Sequence, residues 1–199
     1  CNSPASMHDV CGTTGDYAYD RDKVIEYGRQ YYNKQDPYYP QRSYRNNCVR
    51  FASQCLYVGL GDDIIAEVYP EWHCYRNNQR DPENPEEHDQ TRSWRKTNYF
   101  YRFLMDSGLA YNTTRLYSGW DLGLMAEWFQ YEPGDFLFFS NGNGADEFYH
   151  VAVVSAITEN DILFMGNTTD CFDASLTAWF QDPENQEKEV VIVCIADQG

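Results

Sequence analysis

The chain has 199 residues, with 31 Asp and Glu against 15 Lys and Arg, for a net charge of −16. That charge excludes a general nucleic-acid binder and makes an anionic membrane surface or cell wall a poor electrostatic partner, because such contacts need basic patches. No apolar run approaches the roughly 20 residues of a membrane span, and no internal repeat or low-complexity tract divides the chain, so one domain is expected over residues 19–199 behind an extended arm, 1–18.

The arm is small and polar, with Gly12 and Gly15. Asp20 can cap a helix reaching about Asn33, in which Val24, Tyr27 and Tyr31 form one apolar stripe. Asp36-Pro37 ends it, and a tyrosine-containing loop follows. In the next helix Cys48, Phe51, Ala52, Cys55, Leu56 and Gly59 recur on one face, and Gly59 and Gly61 mark its stop. Asn46 or Asn47 is the N-cap residue, which places Cys48 in the first helical turn. The free N–H groups and positive dipole end there favour a thiolate, as do neighbouring Arg45 and Arg50.

Residues 71–94 read as a long polar surface loop broken by Pro82 and Pro85. A helix follows from about Thr97 to Ser107, with Phe100, Phe103 and Leu104 inward, and a short one over Leu122–Phe129. After Pro133-Gly134 come four short runs rich in Val, Ile and Phe: Asp135–Phe139, Tyr149–Ala156, Asp161–Met165 and Glu189–Ile195. Helices first and strands later predict an α+β domain, N-terminal helices packed on a C-terminal antiparallel sheet. The second and third strands pair as a hairpin, which brings His150 and Asn167 to one end of the sheet.

Seven cysteines, none in a C-x-x-C pair, point away from a structural metal. An odd count suits up to three disulfides and one free thiol, and disulfides imply an extracellular setting. Cys48, His150 and Asn167, in that chain order, are the residue types of a thiol hydrolase: nucleophile, base and orienting carboxamide. Each has a plainer alternative: a buried or bridged cysteine, a core histidine, a turn asparagine that also opens the sequon Asn167-Thr168-Thr169. Trp72 and Tyr38-Tyr39 are candidates for stacking on sugar rings.

From about Tyr19 to Phe180 the chain resembles the putative amidase domain family of papain-like (NlpC/P60-related) cysteine hydrolases. The resemblance rests on Tyr19-Asp20-Arg21, Tyr39-Pro40, the segment Asn47-Cys48-Val49-Arg50-Phe51-Ala52-Ser53-Gln54, Trp94, Gly134-Asp135, His150-Val151 and Asn167-Thr168-Thr169. Against the family pattern, Asn47 replaces an aspartate, Val49-Arg50 replaces Thr-Asn and Asn167 replaces a histidine. The resemblance implies a papain-like fold and a thiolate acyl-enzyme mechanism. Cys48 attacks an amide carbonyl, His150 takes and returns the proton, Asn167 holds the imidazole, and Tyr39 and Asn47 line the oxyanion and substrate side.

The expected substrate is a peptide or small amide, such as a peptidoglycan stem peptide, with no cofactor, no metal and no nucleic acid, in a monomer. A secreted or surface-anchored bacterial protein is expected, with Cys1 as lipid attachment point. The altered motif positions also raise the alternative of a catalytically degenerate binding module on the same fold.

Overall fold

Asp20 accepts a hydrogen bond from the Lys23 backbone N–H and starts α1, Arg21–Tyr31. The computed structural model of the protein describes residues 18–40, 47–61, 68–75 and 90–197. The arm, Cys1 and Arg45 lie outside these residues. Then come α2 (Cys48–Leu60), α3 (Arg92–Arg95), α4 (Thr97–Asp106), β1 (Ala110–Tyr117), α5 (Leu122–Phe129), β2 (Phe136–Ser140), β3 (Phe148–Ile157), β4 (Ile162–Gly166), β5 (Cys171–Ser175), α6 (Leu176–Gln181) and β6 (Glu189–Ile195). The α+β class is as expected, and the β3–β4 hairpin forms.

The sheet has six antiparallel strands in the order β1-β6-β2-β3-β4-β5. Four strands are legible in the sequence, and the two that are not, β1 and β5, are its edges. Edge strands have half their surface in water and so lack a strong apolar signature. In β1 only Leu116 is buried, and in β5 no residue is.

A second difference is a layer of helix on the other face. Phe136, Phe138, Val151, Val153, Val191 and Val193 pack under α1–α4. Leu137, Phe139, Ala152, Val154, Val190 and Ile192 face the opposite way, against Leu122 and Ala126 of α5 and Leu176 and Phe180 of α6. The central strands are therefore apolar on both faces, which explains their near-continuous hydrophobic runs.

Helix α2 is buried beyond its expected stripe, because Ser53 and Gln54 are buried too. Ser53 Oγ donates to the Trp94 carbonyl at 3.1 Å and accepts the Trp72 indole N–H at 3.2 Å. Trp72 is fully buried, its ring stacked on Phe103 at 4.9 Å, so it offers no surface to a sugar. Trp72 and Trp94, from the two ends of the segment expected as loop, thus pack together in the helical core.

Arg21 joins chain ends. Its guanidinium donates to Asp135 Oδ1 at 3.0 Å, the Pro133 carbonyl at 2.9 Å and the Ile195 carbonyl at 2.7 Å. Tyr19 Oη donates to the Gly134 carbonyl at 2.8 Å. The Tyr19-Asp20-Arg21 and Gly134-Asp135 motifs therefore bond one another and tie α1 to β2 and β6. Burial outweighs Arg21 and pushes the Asp135 carboxyl up to about 6.

Candidate functional site

Cys48 is the first residue of α2 and only 5% exposed. The residue before it, Asn47, has helical dihedrals and makes no side-chain cap bond. Its carboxamide turns instead to Asn167, donating from Nδ2 to Asn167 Oδ1 in a short hydrogen bond. Asn167, 1% exposed at the end of β4, donates its own Nδ2 to the Tyr31 carbonyl at 2.5 Å and the Lys34 carbonyl at 2.9 Å. It therefore staples the C-terminus of α1 and the N-terminus of α2 to β4. Two of the positions that depart from the resembled pattern, Asn47 and Asn167, are bonded to each other. Burial also removes the Asn167 sequon from the reach of a glycan.

His150 goes the other way. It stands directly opposite Phe139 in the β2–β3 ladder, and directly opposed residues share a sheet face. Phe139 belongs to the α5–α6 core, and its ring centroid lies 5.3 Å from the imidazole. Cys48 belongs to the core on the α1–α4 face. The structure thus bonds Asn47, the neighbour of Cys48, to Asn167, and sets the His150 ring beside Phe139 of the core opposite to the one that holds Cys48.

Gly166 lies close to both the imidazole and the Cys171 thiol. A methyl group on Gly166 would stand 3.9 Å from His150 Nε2 and 3.8 Å from Cys171 Sγ. Burial lowers the His150 pKa to about 4, so the ring is neutral near pH 7. Burial also raises the Cys171 thiol, so that group too stays uncharged near pH 7. Cys171 was missed because β5 itself is illegible, and contact between these two strands is set by the sheet.

Tyr39 is buried, with its ring 5.9 Å from Trp94. Tyr39 and Asn47 line one narrow cleft with Asp36, Arg50, Gln54 and Gln90. Its open volume is about 10 Å³, the room of one water molecule. Arg50 Nε donates to Gln90 Oε1 at 3.0 Å, an engagement beside the cleft. The described cysteines, Cys48, Cys55, Cys74, Cys171 and Cys194, are unbridged, so the expected disulfides do not form among them.

A cysteine-headed helix laid on an antiparallel sheet, with a second helical layer on the other face, defines an α+β domain. Residues 18–191 match the family described as a putative amidase domain, and the chain belongs to that family. Its description gives amide hydrolysis as the class of activity. No curated protein and no solved structure matches the chain.

Proposed function

We propose that this chain is a degenerate member of the amidase family that binds a peptide-like amide ligand without using Cys48 as a hydrolytic nucleophile. The observation that carries this reading is the face on which His150 lies. A thiolate nucleophile needs a base within hydrogen-bond reach. The imidazole is across the sheet, beside Phe139, and the third candidate, Asn167, is spent on Asn47 and two backbone carbonyls. The carboxamides of Asn47, Gln54 and Gln90 and the Arg50 guanidinium line the narrow cleft and are groups of the kind that pair with an amide.

One observation favours the second reading, a papain-like cysteine amidase acting through an acyl-enzyme. Cys48 begins a 13-residue helix, whose first-turn N–H groups are suited to an oxyanion. Under either reading the proposed setting is extracellular or at the cell surface, with a peptidoglycan stem peptide as ligand. Its support is the family resemblance.

Binding of a synthetic stem tripeptide, followed by calorimetry and by mass spectrometry of the recovered peptide, tests the proposal. The expected result is binding with intact peptide, unchanged in Cys48→Ala, and no selective iodoacetamide labelling of Cys48 at pH 6. Turnover that disappears in both Cys48→Ala and His150→Ala would establish the cysteine mechanism instead.

A further inference from the structure

The turn between β1 and α5 holds a tryptophan out of the core. Trp120 is 42% exposed, and its indole is braced edge-on by Tyr117, with centroids 5.1 Å apart. Gly119 adopts φ +82° with open space around it, which lets the chain turn sharply before the indole. Between this turn and α6 lies a cavity of about 280 Å³ with Phe180 in its wall. That volume is at the small end of ligand sites, suited to a single ring.

The polar rim is uncharged. Ser118, Thr177, Gln181 and Gln186 line it, and no acidic or basic side chain does. The Thr177 hydroxyl donates to Asp161 Oδ1 at 2.8 Å, which fixes its orientation and leaves its lone pairs as acceptors. The Gln181 and Gln186 side chains make no hydrogen bond among the described residues, so each offers two N–H donors and a carbonyl. An anion entering here meets a chain of net charge −16 with no counter-charge in the wall. A cation finds no carboxylate in the lining. The lining thus selects a neutral molecule with one apolar face and a rim of groups that both donate and accept, which is the chemistry of a sugar ring.

We propose that this cleft binds a neutral pyranose, its C–H face stacked on Trp120 and its hydroxyls on Thr177, Gln181 and Gln186. The site shares no lining residue with the cleft at Tyr39 and Asn47 and holds whether or not Cys48 is a nucleophile. An NMR titration of the whole chain with N-acetylglucosamine and with glucose, against glycerol as a control polyol, tests it. Saturable shifts of the Trp120 indole N–H and of residues 118–122 and 177–186 are expected with at least one sugar and not with glycerol.

Trp120→Ala should weaken binding at least tenfold, while Trp120→Tyr, which keeps a stacking face, should stay within a few-fold of the parent. Trp128→Ala, at an exposed α5 position outside the cleft, should bind as the parent does. The proposal is overturned if neither sugar gives saturable shifts, if glycerol gives the same ones, or if Trp120→Ala binds as tightly as the parent.

Discussion

Protonating His150 should cost this protein stability. The imidazole is packed against Phe139, and burial alone lowers its pKa from 6.5 to about 4. Between these values the unfolded chain binds a proton that the folded chain refuses, so stability rises with pH across the window. The contribution is complete above pH 6.5 and is lost as pH falls through 4. A depression of this size corresponds to up to about 3 kcal/mol, less whatever solvent screening the partly exposed ring retains.

Urea unfolding of the parent and of His150→Gln between pH 7.5 and 4 measures this, and the difference between the two should shrink by up to that amount on acidification. Nitrogen-15 NMR of the imidazole should show a neutral ring down to about pH 4. A His150 that titrates at or above 6.5, in step with ultraviolet absorbance of a Cys48 thiolate, would refute the reasoning and place the imidazole beside Cys48.

Asp135 should show the opposite sign: burial raises its carboxyl from 3.8 to about 6, so its contribution falls as pH rises through that interval, and Asp135→Asn should remove the slope in the same unfolding series. The Asn47–Asn167 contact should give a coupling energy of roughly 1 kcal/mol or more in a double-alanine cycle, and Asn167→Ala alone should cost about 2–3 kcal/mol, because two backbone carbonyls and the Asn47 amide lose a partner. A side chain at position 123 would overlap the Glu159 carbonyl, so Gly123→Ala should lower stability by about 1–3 kcal/mol, read from the urea midpoint.

Much of the framework was legible in the sequence because it depends on local chemistry. Asp20 and the Val24–Tyr31 stripe specify α1, and the expected Leu122–Phe129 helix is found at those bounds. The spacing from Cys48 to Gly59 specifies α2, and helices followed by Val- and Phe-rich runs specify the α+β class. The edge strands were not legible, since β1 and β5 mix polar and half-buried positions.

The chemical types of a thiol site, Cys48, His150 and Asn167, can be read along the chain, but their convergence cannot. It turns on one irregularity. The ladder pairs Phe139 with His150 and Ser140 with Phe148, leaving Tyr149 as the extra residue of a bulge. A bulge reverses the alternation of faces. Phe148 therefore joins the core beneath α4 while His150, two positions on, faces the α5–α6 side. The sequence alone determined which residues could do chemistry and which helix presents the cysteine. Only the tertiary structure decided which side of the sheet receives the imidazole, because strand facing depends on a register shared between two strands and not on either strand alone.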